Sequence, residues 1–158
     1  WDQELQMSET VIIPPEGRRV SGGRFIPPLL LIPFVLYHLP ALTMFGGNPD
    51  GWTTKLLTIP MVSGGSWSLT WSDLFLLGGL VCLFFEVLKS TNTGRTSVIE
   101  HMASTALFVV FLVEFLLFAP AASSTFFILM AMTLLDVLAG VIVTIVSARR
   151  DFGVGGDV

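Results

Sequence analysis

Ionisable side chains inside long apolar segments are the first residues of this sequence that could do chemistry. Asp136 lies near the middle of the apolar segment 124–147, and Glu114 lies one turn from the end of another such segment. His38 and Tyr37 lie together in a third. A charged group at the centre of a bilayer costs about 2.5–3.5 kcal/mol on insertion scales, so residues of this kind are candidate functional sites.

Asp136 is the most demanding of these residues, because its short side chain cannot reach the membrane surface. If the apolar segments pack antiparallel, His38 and Tyr37 lie at a comparable depth, and we expect one of them to form a hydrogen bond to Asp136. One alternative is a structural polar clasp, worth roughly 0.6 kcal/mol on average and up to about 2 kcal/mol. The other is a proton-binding carboxyl on a transport path. Glu114 fits either an acid that reaches the membrane surface or a member of a buried network.

A second set of ionisable residues lies near the ends of the apolar segments. Glu86 lies one turn from the inner end of its segment and three residues before Lys89, which predicts a pair along one helix. Glu100 and His101 open the following segment, and acids in a first turn suit a helix N-terminus. We interpret these four as ordinary boundary residues.

The composition indicates the elements that position these side chains. Of the 158 residues, 53% are hydrophobic and 13% are charged, against roughly 25% charged residues in a soluble domain. Four apolar segments are each close to the ~20 residues that a helix needs to cross a bilayer, and backbone groups in lipid require helices. We therefore predict an all-α membrane protein, an antiparallel bundle of four transmembrane helices within residues 24–150. The predicted spans are 25–45, 72–89, 97–118 and 124–147.

The positive charges predict an orientation. Seven of the eight lysines and arginines fall on one side of the predicted spans, and only Lys55 falls on the other. Under the positive-inside rule, both termini lie in the cytoplasm. The tails 1–23 and 151–158 are therefore expected to be cytoplasmic, and neither has a long apolar pattern. The seven residues are Arg18, Arg19, Arg24, Lys89, Arg95, Arg149 and Arg150.

Proline and glycine residues modify the predicted helices. Pro33 and Pro40 each remove a backbone donor from the interior of the first span and should bend it. Gly78 and Gly79 in the second span suit a close contact between helices.

The loop 46–71 between the first two spans has a pattern of its own. "TKLLTIPMVSGGSWSLTW" predicts a strand, a turn at the two glycines and a second strand, hence a short extracytoplasmic β-hairpin. Trp67, Leu69 and Trp71 alternate with small polar residues. This hairpin is either an anchor at the lipid headgroups, where tryptophan is enriched, or a docking edge for a partner protein. Ser72 or Asp73 is expected to cap the second helix.

Several kinds of site have no support in the sequence. The single cysteine, Cys82, allows no intramolecular disulfide. His38 and His101 lie at different depths and are poorly placed to hold one haem. Motifs such as HExxH, GxSxG and GxxxxGK[ST] are missing, as is a basic patch with aromatic residues. We expect no catalysis, no cofactor, no metal and no nucleic-acid partner.

Two segments carry a resemblance. "SWSLTWSDLFLLGGLVCLFFEVLKSTNTGRTS" and "STFFILMAMTLLDVLAGVIVTIVSARRD" resemble small, uncharacterised four-span proteins of bacterial inner membranes. The resemblance covers about residues 60–151. It implies the four-span topology and a bacterial inner (cytoplasmic) membrane, and it carries no functional motif or site residue.

The polar lining is sparse for a pore, and the aromatic hairpin has no core of its own. We therefore expect a non-catalytic structural or accessory subunit of a larger membrane complex, with the lipid bilayer and other membrane protein subunits as partners. The alternative is a small proton-linked transporter or channel centred on Asp136, with Glu114 and His38. A water-filled cavity that reaches Asp136 would favour transport.

Overall fold

A computed structural model describes residues 27–90 and 95–153 of the chain, with side chains except at 95–98 and 147–153. The fold is mostly helical, with one two-stranded antiparallel hairpin. The predicted tail 1–23 and residues 154–158 lie outside the described residues. In chain order the elements are α1 (Leu31–Thr43), β1 (Lys55–Pro60), β2 (Ser66–Thr70), α2 (Trp71–Ser90), α3 (Arg95–Leu117) and α4 (Ser124–Gly153).

Three helices are long and apolar enough to cross a membrane. Their apolar segments are Trp71–Ser90, Ile99–Leu117 and Ser124–Val146, and at 1.5 Å per residue each is about 28 Å or longer. The predicted second, third and fourth spans agree with them within two residues, except that α4 continues beyond 147 to Gly153. α1 has only 13 residues, which corresponds to about 20 Å, less than the ~30 Å of the hydrocarbon layer.

Prolines and glycines explain why α1 is shorter than the predicted span. Pro28 disfavours helical geometry in the residue before it, and α1 begins only at Leu31. Pro33 is consequently the third residue of the helix, in the first turn, where a missing N–H removes no intrahelical bond. The prediction that Pro33 bends the helix interior is therefore wrong, and Pro40 alone lies in the interior. Gly46 and Gly47 follow the helix with φ of 57° and 82°, the left-handed conformation that ends many helices.

Thr70 and Asp73 begin α2. The Asp73 carboxylate accepts hydrogen bonds from the Thr70 backbone N–H (2.8 Å) and hydroxyl (2.7 Å), and the Thr70 hydroxyl accepts one from the Asp73 N–H (3.2 Å). This reciprocal arrangement is a capping box, which satisfies two donors at the helix start. The cap is thus Thr70 rather than Ser72 or Asp73, and Trp71 is the first residue of the helix instead of the end of a strand.

The predicted strand–turn–strand pattern is confirmed. The two strands pair antiparallel with Leu57 opposite Leu69 and Ile59 opposite Trp67. The Met61 N–H donates to the Gly65 carbonyl at 2.8 Å, and Gly64 turns the chain with a φ of 85°.

An aromatic core fills the end of the bundle from which the hairpin projects. Its centre is Trp52, on a short 3₁₀ helix (Pro49–Thr53) between α1 and β1. The indole stacks on Tyr37 with ring centroids 4.4 Å apart and meets Phe45 and Phe75 edge to face, which suits the quadrupoles of the rings. Phe126 at the start of α4 packs edge-on against Tyr37. This core therefore joins α1, α2 and α4.

α4 is the central helix, because both α2 and α3 pack along it while α1 lies mainly against α2. Gly79 permits the close approach of α2 and α4. A Cβ atom at Gly79 would lie 2.6 Å from Leu129 Cδ2, whereas a Cβ atom at Gly78 would meet nothing within 4 Å. Gly78 instead lines an apolar groove between α1 and α2.

These two adjacent glycines give a matched pair of substitutions. Gly79→Leu inserts four carbons against the buried Leu129 and should destabilise the bundle by about 1–3 kcal/mol. Gly78→Leu adds the same atoms in open space and should leave the stability unchanged or slightly raised. Reversible unfolding in mixed detergent micelles measures both, and equal losses for the two variants would contradict the packing of α2 on α4.

Candidate functional site

His38 and Glu114 form a polar pair between α1 and α3. His38 Nε2 lies 3.0 Å from Glu114 Oε2, and His38 Nδ1 lies 2.9 Å from the Phe34 carbonyl oxygen. A carbonyl oxygen only accepts, so Nδ1 carries a hydrogen and donates it. The contact between Nε2 and Oε2 then holds one further proton, which makes the pair either imidazolium–carboxylate or neutral histidine–carboxylic acid. In both states its net charge is zero.

Tyr37 lies at the same end of the bundle as the His38–Glu114 pair, and its hydroxyl group both donates and accepts a hydrogen bond. Its hydroxyl donates to the Pro120 carbonyl at 2.9 Å and lies 2.7 Å from Ser123 Oγ. Since the phenol has a single hydrogen, Ser123 donates to the Tyr37 oxygen. Ser123 Oγ also accepts the Phe126 N–H at 3.1 Å, as an N-cap residue does. Tyr37 therefore joins α1 to the connection that starts α4.

Glu86 lies near the opposite end of the bundle and is only 3% exposed. One carboxylate oxygen accepts the Leu29 backbone N–H at 2.7 Å, and the other accepts Lys89 Nζ at 3.0 Å. Lys89 Nζ also lies 3.8 Å from Glu100 Oε2. The predicted pair of Glu86 with Lys89 is present, and it belongs to a group that links the start of α1, the end of α2 and the start of α3.

Asp136 on α4 lies in the same region as Glu86, Lys89 and Glu100. It is 4% exposed, interacts with the Ser104 hydroxyl, and lines a cavity of about 20 Å³. His101 reaches α4 because Gly140 lacks a side chain, and a Cβ atom there would lie 2.5 Å from His101 Nδ1. We call the lining of this cavity the Asp136 cluster. Its residues are Glu86, Lys89, Ser90, Glu100, His101, Ser104, Asp136 and Gly140.

The hydrogen bond predicted from His38 or Tyr37 to Asp136 is not formed in the described part of the chain. Tyr37 contacts Ser123, immediately before α4 begins, whereas Asp136 lies 12 residues into that helix. At 1.5 Å per residue, this is about 18 Å further along the axis. The prediction assumed that α1 and α4 are centred at the same level, whereas Tyr37, the middle residue of α1, lies level with the start of α4.

The predicted hairpin residues fall into two environments. Trp67 is 48% exposed on β2, and Leu69 is partly buried on the same strand. Trp71 packs partly buried against the aromatic core from the start of α2. Trp67 and Leu69 share a strand face, while Trp71 belongs to the helical bundle.

Sequence reasoning missed two buried features for which the sequence carries a signal: the hydrogen bond from the Leu29 N–H to Glu86, and the burial of Trp52. The Leu29 N–H precedes the first helix and needs an acceptor, and Glu86 lies near the helix end that an antiparallel neighbour would present. Asn48-Pro49 is a turn signal, and it introduces the 3₁₀ helix that carries Trp52. The approach of His101 to α4, beside the cavity that Asp136 lines, depends on Gly140, and sequence spacing alone does not reveal it.

Among the side chains that the structure describes, there is no group of three or more His, Cys, Asp and Glu that could hold a metal ion. The arrangement can hold protons and stabilise charge, through one neutral pair and one cluster of carboxyl groups around a lysine.

Glu86 offers a direct test of the buried contacts. Glu86→Leu leaves the Leu29 N–H without this acceptor and the Lys89 ammonium without its nearest carboxylate. It should lower the free energy of unfolding by about 3–5 kcal/mol, as removal of one partner of a buried ion pair does. The double variant Glu86→Leu, Lys89→Leu removes both charges and should be more stable than Glu86→Leu alone. Unfolding in mixed micelles measures the cycle, and simple additivity of two losses would show that the pair does not interact.

The chain matches none of the protein-family models, curated proteins or solved structures with which it was compared. The resemblance to small four-span proteins of bacterial inner membranes therefore stays a prediction from the sequence, and any function has to be inferred from the chain's own geometry.

Proposed function

We propose that this chain is a non-catalytic structural subunit of a larger membrane complex, docked through the apolar face of its β-hairpin. The observation that carries the proposal is the division of the hairpin into two unlike faces. Leu57, Ile59, Trp67 and Leu69 are paired across the strands, so their side chains share one face. Three of the four are more than 40% exposed.

The opposite face of the hairpin is mainly polar, with Thr58, Ser66 and Ser68 beside Pro60. Thr58 lies opposite Ser68, and their hydroxyl oxygens are 3.0 Å apart. An isolated two-stranded hairpin is at best marginally stable in water, and exposed apolar patches with a polar rim mark interaction sites. A protein surface that covers the apolar face would complete this element.

The outer surfaces of the spanning helices support the same proposal. A third or less of each apolar segment is buried inside the bundle, and its outward positions are largely leucine, valine, isoleucine and phenylalanine. Such surfaces suit acyl chains and the helices of neighbouring subunits equally well.

We further propose that α1 is a fourth span, with both termini in the cytoplasm of a bacterial cell and the hairpin outside the inner membrane. The residues just before α1 contact Glu86, and α1 ends near the start of α2. α1 thus lies beside α2 for all but about one turn of its length. The asymmetry of the positive charges supports this orientation.

The alternative, a proton-linked transporter centred on Asp136, has less support. His38 and Glu114 lie at the end of the bundle opposite to the Asp136 cluster. The cavity at Asp136 measures about 20 Å³, which is room for about one water molecule.

The docking proposal is tested by a charge placed on either face of the hairpin. Ile59→Lys introduces an ammonium group on the apolar face, and Thr58→Lys introduces the same group on the polar face of the same strand. After mild-detergent extraction, native-gel sizing and mass spectrometry of the band, the wild type and Thr58→Lys should migrate with a larger complex at fixed stoichiometry. Ile59→Lys should weaken this association at least about tenfold, or 1.4 kcal/mol.

Two outcomes would overturn the docking proposal. If the wild-type chain migrates alone or as a small homo-oligomer, it is not a subunit. If Ile59→Lys and Thr58→Lys both remain in the complex, the hairpin is not the docking element and its tryptophan serves as an anchor at the lipid headgroups.

The proposed topology predicts the side of the membrane on which the hairpin turn lies. In a Cys82→Ser background, a Ser63→Cys variant should react with a membrane-impermeant maleimide in intact bacterial cells. A green fluorescent protein fused to the C-terminus should fluoresce, since that end is cytoplasmic. If Ser63→Cys reacted only after permeabilisation of the cells, the orientation would be the opposite of the proposed one.

A further inference from the structure

We propose that Asp136 is a proton-binding site, which exchanges its proton with the aqueous phase through one water molecule held between Asp136 and His101. The ligand is the proton, bound on a carboxylate oxygen. This inference is independent of the docking role of the hairpin, because the Asp136 cluster lies at the other end of the bundle.

The charges in the cluster leave Asp136 without a cation of its own. Lys89, the one lysine among the described residues that line the cavity, is 3.0 Å from Glu86 and 3.8 Å from Glu100. Among the described side chains, Asp136 has no ion pair within 4.0 Å. A buried, unpaired carboxylate is far more costly than a carboxylic acid, so Asp136 keeps a proton under conditions in which an exposed aspartate has lost it.

Every described element packed against Asp136 contributes to this balance. Glu86 and Lys89 from α2 and Glu100 and His101 from α3 line the same cavity, so carboxylate and basic side chains face Asp136 from both neighbouring helices. Ser104 on α3 provides a hydroxyl that can donate to the ionised form. Loss of the proton therefore places Asp136 and Glu86 in competition for one ammonium group.

The cavity has the size and the lining that a bridging water requires. A volume of about 20 Å³ exceeds the roughly 10–15 Å³ that one water needs, and a buried water needs two to four polar partners. Asp136, His101 and Ser104 supply them. Ser90, the last residue of α2, also lines the cavity, so the site reaches the end of a spanning helix and hence the membrane boundary.

Infrared spectroscopy of the full chain in lipid nanodiscs tests the proposal, because a protonated carboxyl has a carbonyl stretch distinct from that of carboxylate. At a pH at which exposed carboxyl groups have ionised, the wild type should still show such a band, which shifts in D₂O and disappears as the pH rises further. Asp136→Asn should lose the component of the band that belongs to Asp136. Glu114→Gln, which changes a carboxyl at the other end of the bundle, should keep it.

Ser104→Ala and His101→Gln keep the proposal testable if Asp136→Asn fails to fold. Each leaves the carboxyl in place and removes one of its partners, so each should shift the proton affinity reported by the band by roughly tenfold. A structural role for Asp136 alone would not move this midpoint. The proposal is overturned if the wild type lacks the band, if Asp136→Asn leaves the band unchanged, or if neither partner variant shifts its midpoint.

Discussion

The carboxylate of Glu86 accepts the Leu29 N–H and the Lys89 ammonium from a position that is almost completely buried. These contacts hold the start of the first helix against α2, while Pro28 limits the residue at which the helix begins. α1 is short, has a proline in its first turn and contacts α4 only slightly, so its own hydrogen bonds do little to hold its start in place. Because Glu86 supplies an acceptor at that start, α1 lies beside α2. This placement carries Tyr37 and His38 to the opposite end of the bundle.

With Tyr37 and His38 placed in this way, the polar side chains form two separate groups at opposite ends of the helical bundle. At the hairpin end, Tyr37 is held by Pro120 and Ser123, and the His38–Glu114 pair has no net charge. At the other end, three carboxyl groups surround Lys89 and His101. The first arrangement is satisfied within the protein and needs nothing further. In the second arrangement, the described basic side chains do not balance the charge of the three carboxyl groups. A proton bound to Asp136 would reduce this excess of negative charge.

Much of the fold was predictable from the composition and from the spacing of apolar residues along the sequence. The apolar segments that became α2, α3 and α4 were found within two residues at most boundaries, and the alternating residues around Gly64 correctly predicted the hairpin. These features depend on local patterns, which is why one sequence was enough. α1 was predicted too long, because hydropathy does not register that Pro28 and Gly46 limit the helix.

The contacts of the polar residues were harder to predict, since they depend on the depth at which two helices meet. The expected bond between Asp136 and His38 or Tyr37 assumed that α1 and α4 are centred at the same level. Tyr37, at the middle of α1, instead contacts Ser123 next to the start of α4, and Asp136 lies about 18 Å further along that helix. Glu86, Glu100 and His101 were interpreted as boundary residues for the same reason: distance from a helix end is visible in a sequence, but the neighbour that covers that end is not.

The side chains that lie between the two polar groups restrict what Asp136 can do. Moving from Asp136 toward the hairpin end, α4 contributes Met132 and Leu129 and α3 contributes Leu107 and Phe111, all buried. This apolar layer separates Asp136 from the His38–Glu114 pair. A proton bound at Asp136 therefore has its nearest polar route through Ser90 and Lys89, on the side from which it came. If Asp136 binds a proton as we propose, the site exchanges it with one side of the membrane rather than passing protons across, which is compatible with the proposed role as a subunit.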